Sequence, residues 1–186
     1  MKKNKKIVIG LIGEKGAGKG VIAKYLMEKY KADHFGTSKI LKRTIDDLCL
    51  PATRDNLIKL ALVLKEGFWN SVVIDALINE MEKSSAKIVI ADGIRMHGDV
   101  EPFKKKYGKN FKLIYVTAPI KVRYERTKKR KEKIGEDRTT FEQFLAEEGR
   151  LTEISIHEIG DGADLTINNI GSLDKIYKQI DKIINS

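Results

Sequence analysis

A three-layer α/β fold on a mostly parallel, five-stranded sheet is predicted by two features of the sequence. Apolar runs of strand length recur along the chain, KIVIGLI at 6–12 and KIVIA at 87–91 being the plainest. Each is followed by a stretch with apolar residues at helical spacing. Unbroken apolar runs mark strands covered on both faces, and strand–helix alternation gives parallel sheets with right-handed crossovers. No repeat, low-complexity linker or domain boundary interrupts the pattern. A chain of 186 residues matches one domain of roughly 150 residues with room for an inserted flap.

The elements follow in order. The first strand, 6–12, runs through a glycine-rich turn into a helix over 19–31 carrying Val21, Ile22, Tyr25 and Leu26. Residues 33–36 read as a short strand or a loop. A helix over 38–49 groups Ile40, Leu41, Ile45 and Leu48 and stops before Pro51; Ser38 is a candidate cap for it. Thr53 is placed to cap a helix over 54–65, and a further helix spans 68–81, with Trp69 expected as a core anchor. After the strand at 87–91 come a short helix, 99–107, and a strand, 111–117. Pro119 suits the first turn of a helix over 120–133. Gly135 and Asp137 break it, and Thr139 with Glu142 resembles a capping box for the next helix. A weaker strand at 164–168 and a helix over 173–184 close the chain.

Composition narrows the class. Apolar residues at 41% and charged residues at 33% suit a globular chain. The apolar runs fall far short of the ~20 residues that cross a bilayer, and the basic start at 1–6 soon meets Glu14 and Lys15, so neither a membrane span nor a secretory signal is expected. The one cysteine, Cys49, excludes an internal disulfide and a Cys-based zinc site, and is most simply a small core residue. His34, His97 and His157 share no helical face. A cytoplasmic location follows as an expectation. The net charge of +10 fits a nucleic-acid binder, a protein with phosphorylated substrates, or plain solubility.

The chemistry concentrates in Gly13-Glu14-Lys15-Gly16-Ala17-Gly18-Lys19-Gly20, set between the first strand and the first helix. That context gives the phosphate-loop pattern its meaning: glycines let successive N–H groups face a polyanion, and the helix adds the positive end of its dipole. Gly13, Gly16, Ala17, Gly18, Lys19, Gly20 and Val21 are therefore the expected ATP-binding residues, with Lys19 reaching the β- and γ-phosphates. The usual Ser or Thr ligand for Mg²⁺ is replaced here by Gly20, followed by Val21. Asp92, at the carboxyl end of the strand 87–91, can hold Mg²⁺ through water, and Arg95 offers a planar fork for a second phosphate. Arg123, Arg126 and Arg130 lie at i, i+3 and i+7 on one helix, with Arg138 beyond the break. Arginines on a closing flap would stabilise charge in phosphoryl transfer, although a solvated basic face gives the same spacing.

Gly16-Ala17-Gly18-Lys19-Gly20 resembles the loop of adenylate kinases and related nucleoside monophosphate kinases, where threonine comes next instead of Val21. Asp92-Gly93-Ile94-Arg95 is similar to the Asp-Gly-x-x-Arg motif of that group with one residue fewer. The segment 34–43 resembles its acceptor-binding segment, which implies acceptor contacts from Thr37 and from Lys42 or Arg43, with Arg54 a weaker candidate. The stretch 163–169 looks more like the dephospho-coenzyme A kinases, where it lies near the donor adenine. The resemblance implies a single P-loop kinase domain over 1–186, with an acceptor-binding helical region at about 37–82, a lid at about 123–150, ATP and Mg²⁺ as cofactors, and a small nucleotide as acceptor. Catalytic roles fall to Lys19, Asp92, Arg123 and Arg126, and acceptor binding to Thr37, Lys42, Arg43, Arg95 and Arg138. For a ribose-hydroxyl acceptor, Asp33 is the candidate base. A regulatory ATPase or nucleic-acid-associated module is the rival reading, against which stands the lack of an RNA-binding motif.

Overall fold

The computed structural model describes residues 6–130, 139–149 and 151–185. Five strands, β1 (Ile7–Ile12), β2 (Asp33–Gly36), β3 (Ile88–Asp92), β4 (Phe111–Thr117) and β5 (Leu165–Asn168), form one sheet in the order β2-β3-β1-β4-β5. Every neighbouring pair is parallel. Around it lie α1 (Lys19–Tyr30), α2 (Thr37–Asp47), α3 (Arg54–Gly67), α4 (Val72–Glu82), α5 (Glu101–Tyr107), α6 (Ile120–Arg130), α7 (Phe141–Glu148), α8 (Leu151–Asp161) and α9 (Leu173–Ile184).

Successive side chains on a strand face opposite ways, and β1 shows the result. Val8 and Ile12 join a core with α2, α4, α5 and α8, while Ile9 and Leu11 join a second core with α1 and α9. The sheet is thus covered on both faces. Gly10 is small because the first core comes too close for a side chain. A Cβ there would stand 2.9 Å from Ile94 Cδ1 and from the Phe111 ring, which stacks on buried Phe103 with centroids 5.1 Å apart.

The second core is fastened at its rim. Tyr25 of α1 stacks flat on Tyr177 of α9 at 3.8 Å, and Asp181 accepts hydrogen bonds from Tyr25, Tyr30 and Lys29. Burial pushes the Asp181 carboxyl up, but its bonds from Lys29, Tyr25 and Tyr30 outweigh that and hold it down at about 2. A carboxyl depressed in the folded state stabilises fully above its unfolded value of about 4. The contribution is lost as the pH falls from there through about 2. Asp181→Asn is therefore expected to melt lower than the parent chain at pH 6, the gap narrowing toward pH 2; a constant gap in thermal scans would count against the linkage.

Several expectations need correction. Trp69 is 54% exposed, because the turn between α3 and α4 lies outside the packed layers; its indole N–H donates to Asp75 Oδ2 at 2.8 Å. α4 accordingly starts at Val72. Cys49 is exposed as well, carried past the end of α2 at φ 55°, and Leu48 is exposed beside it. α2 opens one residue before Ser38, with Gly36 as its cap. The capping box is Thr140 with Gln143, one residue beyond the expected pair. Thr53 does cap α3, accepting from Asn56 N–H at 3.2 Å. Among the described residues, no helix is long and apolar enough to cross a membrane.

Candidate active site

The loop after β1 is shaped by what surrounds it. Gly16 and Gly18 adopt φ 79° and 106°, where L side chains are strained. A Cβ on Gly16 would stand 2.4 Å from the Arg123 carbonyl oxygen, and one on Gly18 would stand 2.0 Å from Asn169 Nδ2. Asn169, 5% exposed, donates from Nδ2 to the Ala17 carbonyl at 2.8 Å. A residue following β5 thus clasps a loop following β1. α1 opens at Lys19 with Gly18 as its cap and no side-chain acceptor for its first amides, the arrangement that suits an anion at a helix start. Lys19 Nζ lies over the loop, donating to the Gly13 and Glu14 carbonyls at 2.6 and 3.2 Å. Around Gly20 a Cβ would meet nothing within 4 Å, and Val21, 39% exposed, offers no hydroxyl.

Asp92 ends β3 directly beside Leu11 of β1. Burial pushes its carboxyl up; the His34 hydrogen bond and the charges of Lys19 and Arg95 outweigh this and hold it below the ordinary carboxylate range. His34 Nε2 stands 3.4 Å from Asp92 Oδ2. Asp92 is therefore a carboxylate at neutral pH, next to the loop lysine. The donor set suits a water-held divalent cation and nothing tighter, since among the described residues no group of three acidic, His or Cys side chains gathers for a metal.

A cavity of about 270 Å³ begins at Lys15, Gly16 and Lys19 and runs beneath α2, α3 and α4. Thr37, Arg54 and Arg95 line it. Thr37 is 8% exposed and donates to the Gly93 carbonyl at 3.3 Å, while Gly93, at φ 95°, leaves that hydroxyl its place. α3 has no buried residue and packs on α2 and α4, so its inner face becomes the cavity wall. Lys15 and Arg54 both donate to Glu147 Oε2 of α7, at 3.1 and 2.9 Å, tying α7 across the cavity mouth.

Other expected site residues lie elsewhere or do a different task. Arg43 pairs with Glu80 at 2.6 Å, Lys42 is exposed, and neither lines the cavity. Asp33 sits at the opposite end of β2 from Gly36, bonded to Ser84, so the sheet does not bring it to the loop. Arg123 is 4% exposed, donating to the Ala118 and Lys15 carbonyls and pairing with Glu148 at 2.7 Å. Arg126 donates to the Asn169 carbonyl at 2.8 Å and leaves Nη1 buried with no partner beside Gly18. Arg138 and the Arg130 side chain lie outside the described residues.

Sequence reading missed Glu14, 2% exposed, which accepts from Tyr115 at 2.6 Å and Thr117 at 3.3 Å and leaves Oε2 without a partner. Burial, and then the Glu14 bond, push the Tyr115 hydroxyl up to about 12, so it stays a donor. Asn169, Glu147, Lys65 and Asp99 were also missed. For Lys65 a signal was available in its helical spacing from Arg54, Leu57, Ile58 and Ala61 on α3.

A glycine cradle between a central parallel strand and a helix, with its lysine folded over it, defines a P-loop nucleotide-binding protein of kinase-like fold. Residues 12–144 match the AAA domain family, and the chain belongs to it. A UPF0200/UPF0201 protein of Archaeoglobus fulgidus is 31% identical over 137 residues, 73% of this chain and 42% of that protein, so the chain spans less than half of that relative. A UPF0200 protein of Methanothermobacter thermautotrophicus is 28% identical over 179 residues, 96% of this chain and 89% of the other. The solved shikimate kinase from Acinetobacter baumannii, in complex with shikimate, shares the fold with TM-score 0.56 at 20% identity, over 97% of this chain and 94% of that one.

Proposed function

We propose that the protein is an ATP-dependent phosphotransferase that moves the γ-phosphoryl group to a nucleoside monophosphate-type acceptor in the cytoplasm. The observation that carries this reading is the cavity shared by the loop lysine, Lys19, and the α2–α4 wall. A switch ATPase has no need of a second, substrate-sized hollow opening onto its phosphate loop. The kinase-like fold supports the same reading.

Phosphoryl transfer asks the protein for position and charge more than for covalent chemistry. Amides of 13–20 would take the donor's β- and γ-phosphates, and Lys19 would leave the loop carbonyls for the transferring group. Asp92 would hold Mg²⁺ through water; the ion, when bound, neutralises charge on the donor phosphates. Arg95 and Arg54 would hold the acceptor's phosphate, with Thr37 beside them. An acceptor oxygen then attacks the γ-phosphorus in line as ADP leaves. A phosphate-anion acceptor needs no general base, which agrees with the distance of Asp33 from the loop. Arg123 would act by fixing Lys15 and α7, and Arg126 with Asn169 would border the donor side.

The test is product analysis with ATP, Mg²⁺ and a panel of nucleoside monophosphates plus dephospho-coenzyme A. ADP together with a phosphorylated monophosphate is the expected result. ADP with free phosphate only, whatever acceptor is present, would replace the proposal with an ATPase, and a phosphorylated dephospho-coenzyme A would move it to a ribose hydroxyl.

A further inference from the structure

The acceptor cavity has a second chemical end. Along α3, Arg54, Leu57, Ile58, Ala61 and Lys65 all line it, at i, i+3, i+4, i+7 and i+11. Those positions form one stripe of a helix, cationic at both ends and apolar between. Arg54 meets the phosphate loop through Glu147 and Lys15. Lys65 lies three turns further, about 16 Å along the axis. There its ammonium donates to Asp99 Oδ1.

Asp99 is 3% exposed, and its other oxygen accepts the backbone N–H groups of Arg95 and Met96, each at 3.0 Å. Three donors therefore fill most of the acceptor capacity of this carboxylate. Lys65, whose side chain is only 10% exposed, is fixed by one hydrogen bond among the described residues and carries three N–H groups. What the pair presents to the cavity is donors.

We propose that Lys65, positioned by Asp99, selects acceptors whose body presents a carbonyl oxygen at the end remote from the phosphate: the keto edge of a nucleobase in preference to an amino edge. This rests on the nucleotide-acceptor reading above. Leu57, Ile58 and Ala61 give an apolar wall for a heterocycle, and Arg54 stands at the phosphate-loop end through Glu147 and Lys15. A carbonyl accepts from the ammonium. An exocyclic amine in its place sets donor against donor in a nearly dry site, and sites built for one polar partner reject the isostere that lacks it.

The test uses isosteric pairs, UMP against CMP and IMP against AMP, titrated calorimetrically into the full chain, with turnover measured on the same four compounds. The keto member is expected to bind roughly 10- to 100-fold tighter, the discrimination of a charge-assisted hydrogen bond. Lys65→Met, which keeps most of the aliphatic stem, is expected to bring both ratios near one, while Lys65→Arg keeps the preference. Equal affinities in the parent chain, ratios indifferent to Lys65→Met, or no binding of any of the four would overturn the proposal. The parent ratios stand even if Lys65→Met does not fold. Transfer to acceptors without keto preference removes the selection alone; keto preference in binding without transfer supports the selection and removes the kinase reading.

Discussion

For the phosphoryl transfer proposed above, Lys19→Ala is expected to lower the rate by about three orders of magnitude, in the range that a single transition-state cation contributes in this chemistry. Stability should change little. The ammonium bonds the Gly13 and Glu14 carbonyls, and two such bonds at a part-exposed site are worth about 1–2 kcal/mol together. The informative measurement is therefore a pair: single-turnover rate with saturating ATP, and a thermal melt. Lost turnover with a melt close to the parent's is the expected result. Turnover retained within a few-fold would remove the lysine from the mechanism, and a collapsed melt would make its role structural.

Gly16→Ala is the second large effect, and it acts through the backbone. The new Cβ would stand 2.4 Å from the Arg123 carbonyl oxygen and 2.8 Å from Thr127 Oγ1, at a φ of 79°. The carbonyl belongs to α6 and cannot turn aside without opening that helix, so the loop must move instead. Strain at the residue and overpacking against α6 together put the destabilisation at about 2–4 kcal/mol. Binding of a nonhydrolysable ATP analogue, read by calorimetry, should disappear. Gly20→Ala is the control: no atom lies within 4 Å of its Cβ, and alanine early in a helix costs nothing. A variant at Gly20 that melts like the parent but binds the analogue weakly would show that the ligand itself fills that space.

The sequence carried the fold because strand burial leaves a local trace. β1 is an apolar run, β3 is one up to Asp92, β4 is interrupted only by Lys112, and each is covered on both faces. The phosphate loop was legible for a related reason, since a close backbone turn can be made by few residues other than glycine. Trp69 and Cys49 were misread because burial of a turn residue depends on which layer the turn abuts, and a hydrophobic side chain does not state that. The capping box slipped by one residue because Thr139 and Thr140 each precede an acidic or amide residue at the right offset. Lys42 and Arg43 share a helix with residues that do line the cavity, and only the rotation of α2 against its neighbours decides which face inward. Glu14, Asn169 and Glu147 escaped notice for a further reason: each matters through a partner more than a hundred positions away or on an element whose docking no local pattern announces, except Arg54, which is 93 from Glu147.

The bond from Asn169 to Ala17 joins groups 152 positions apart. Its donor follows the last strand, so a nascent polypeptide halted before that strand has every glycine of the loop and none of this restraint. Grip on a triphosphate should then ripen late in biosynthesis, when the closing strand has paired with β4 and the amide reaches back across the sheet.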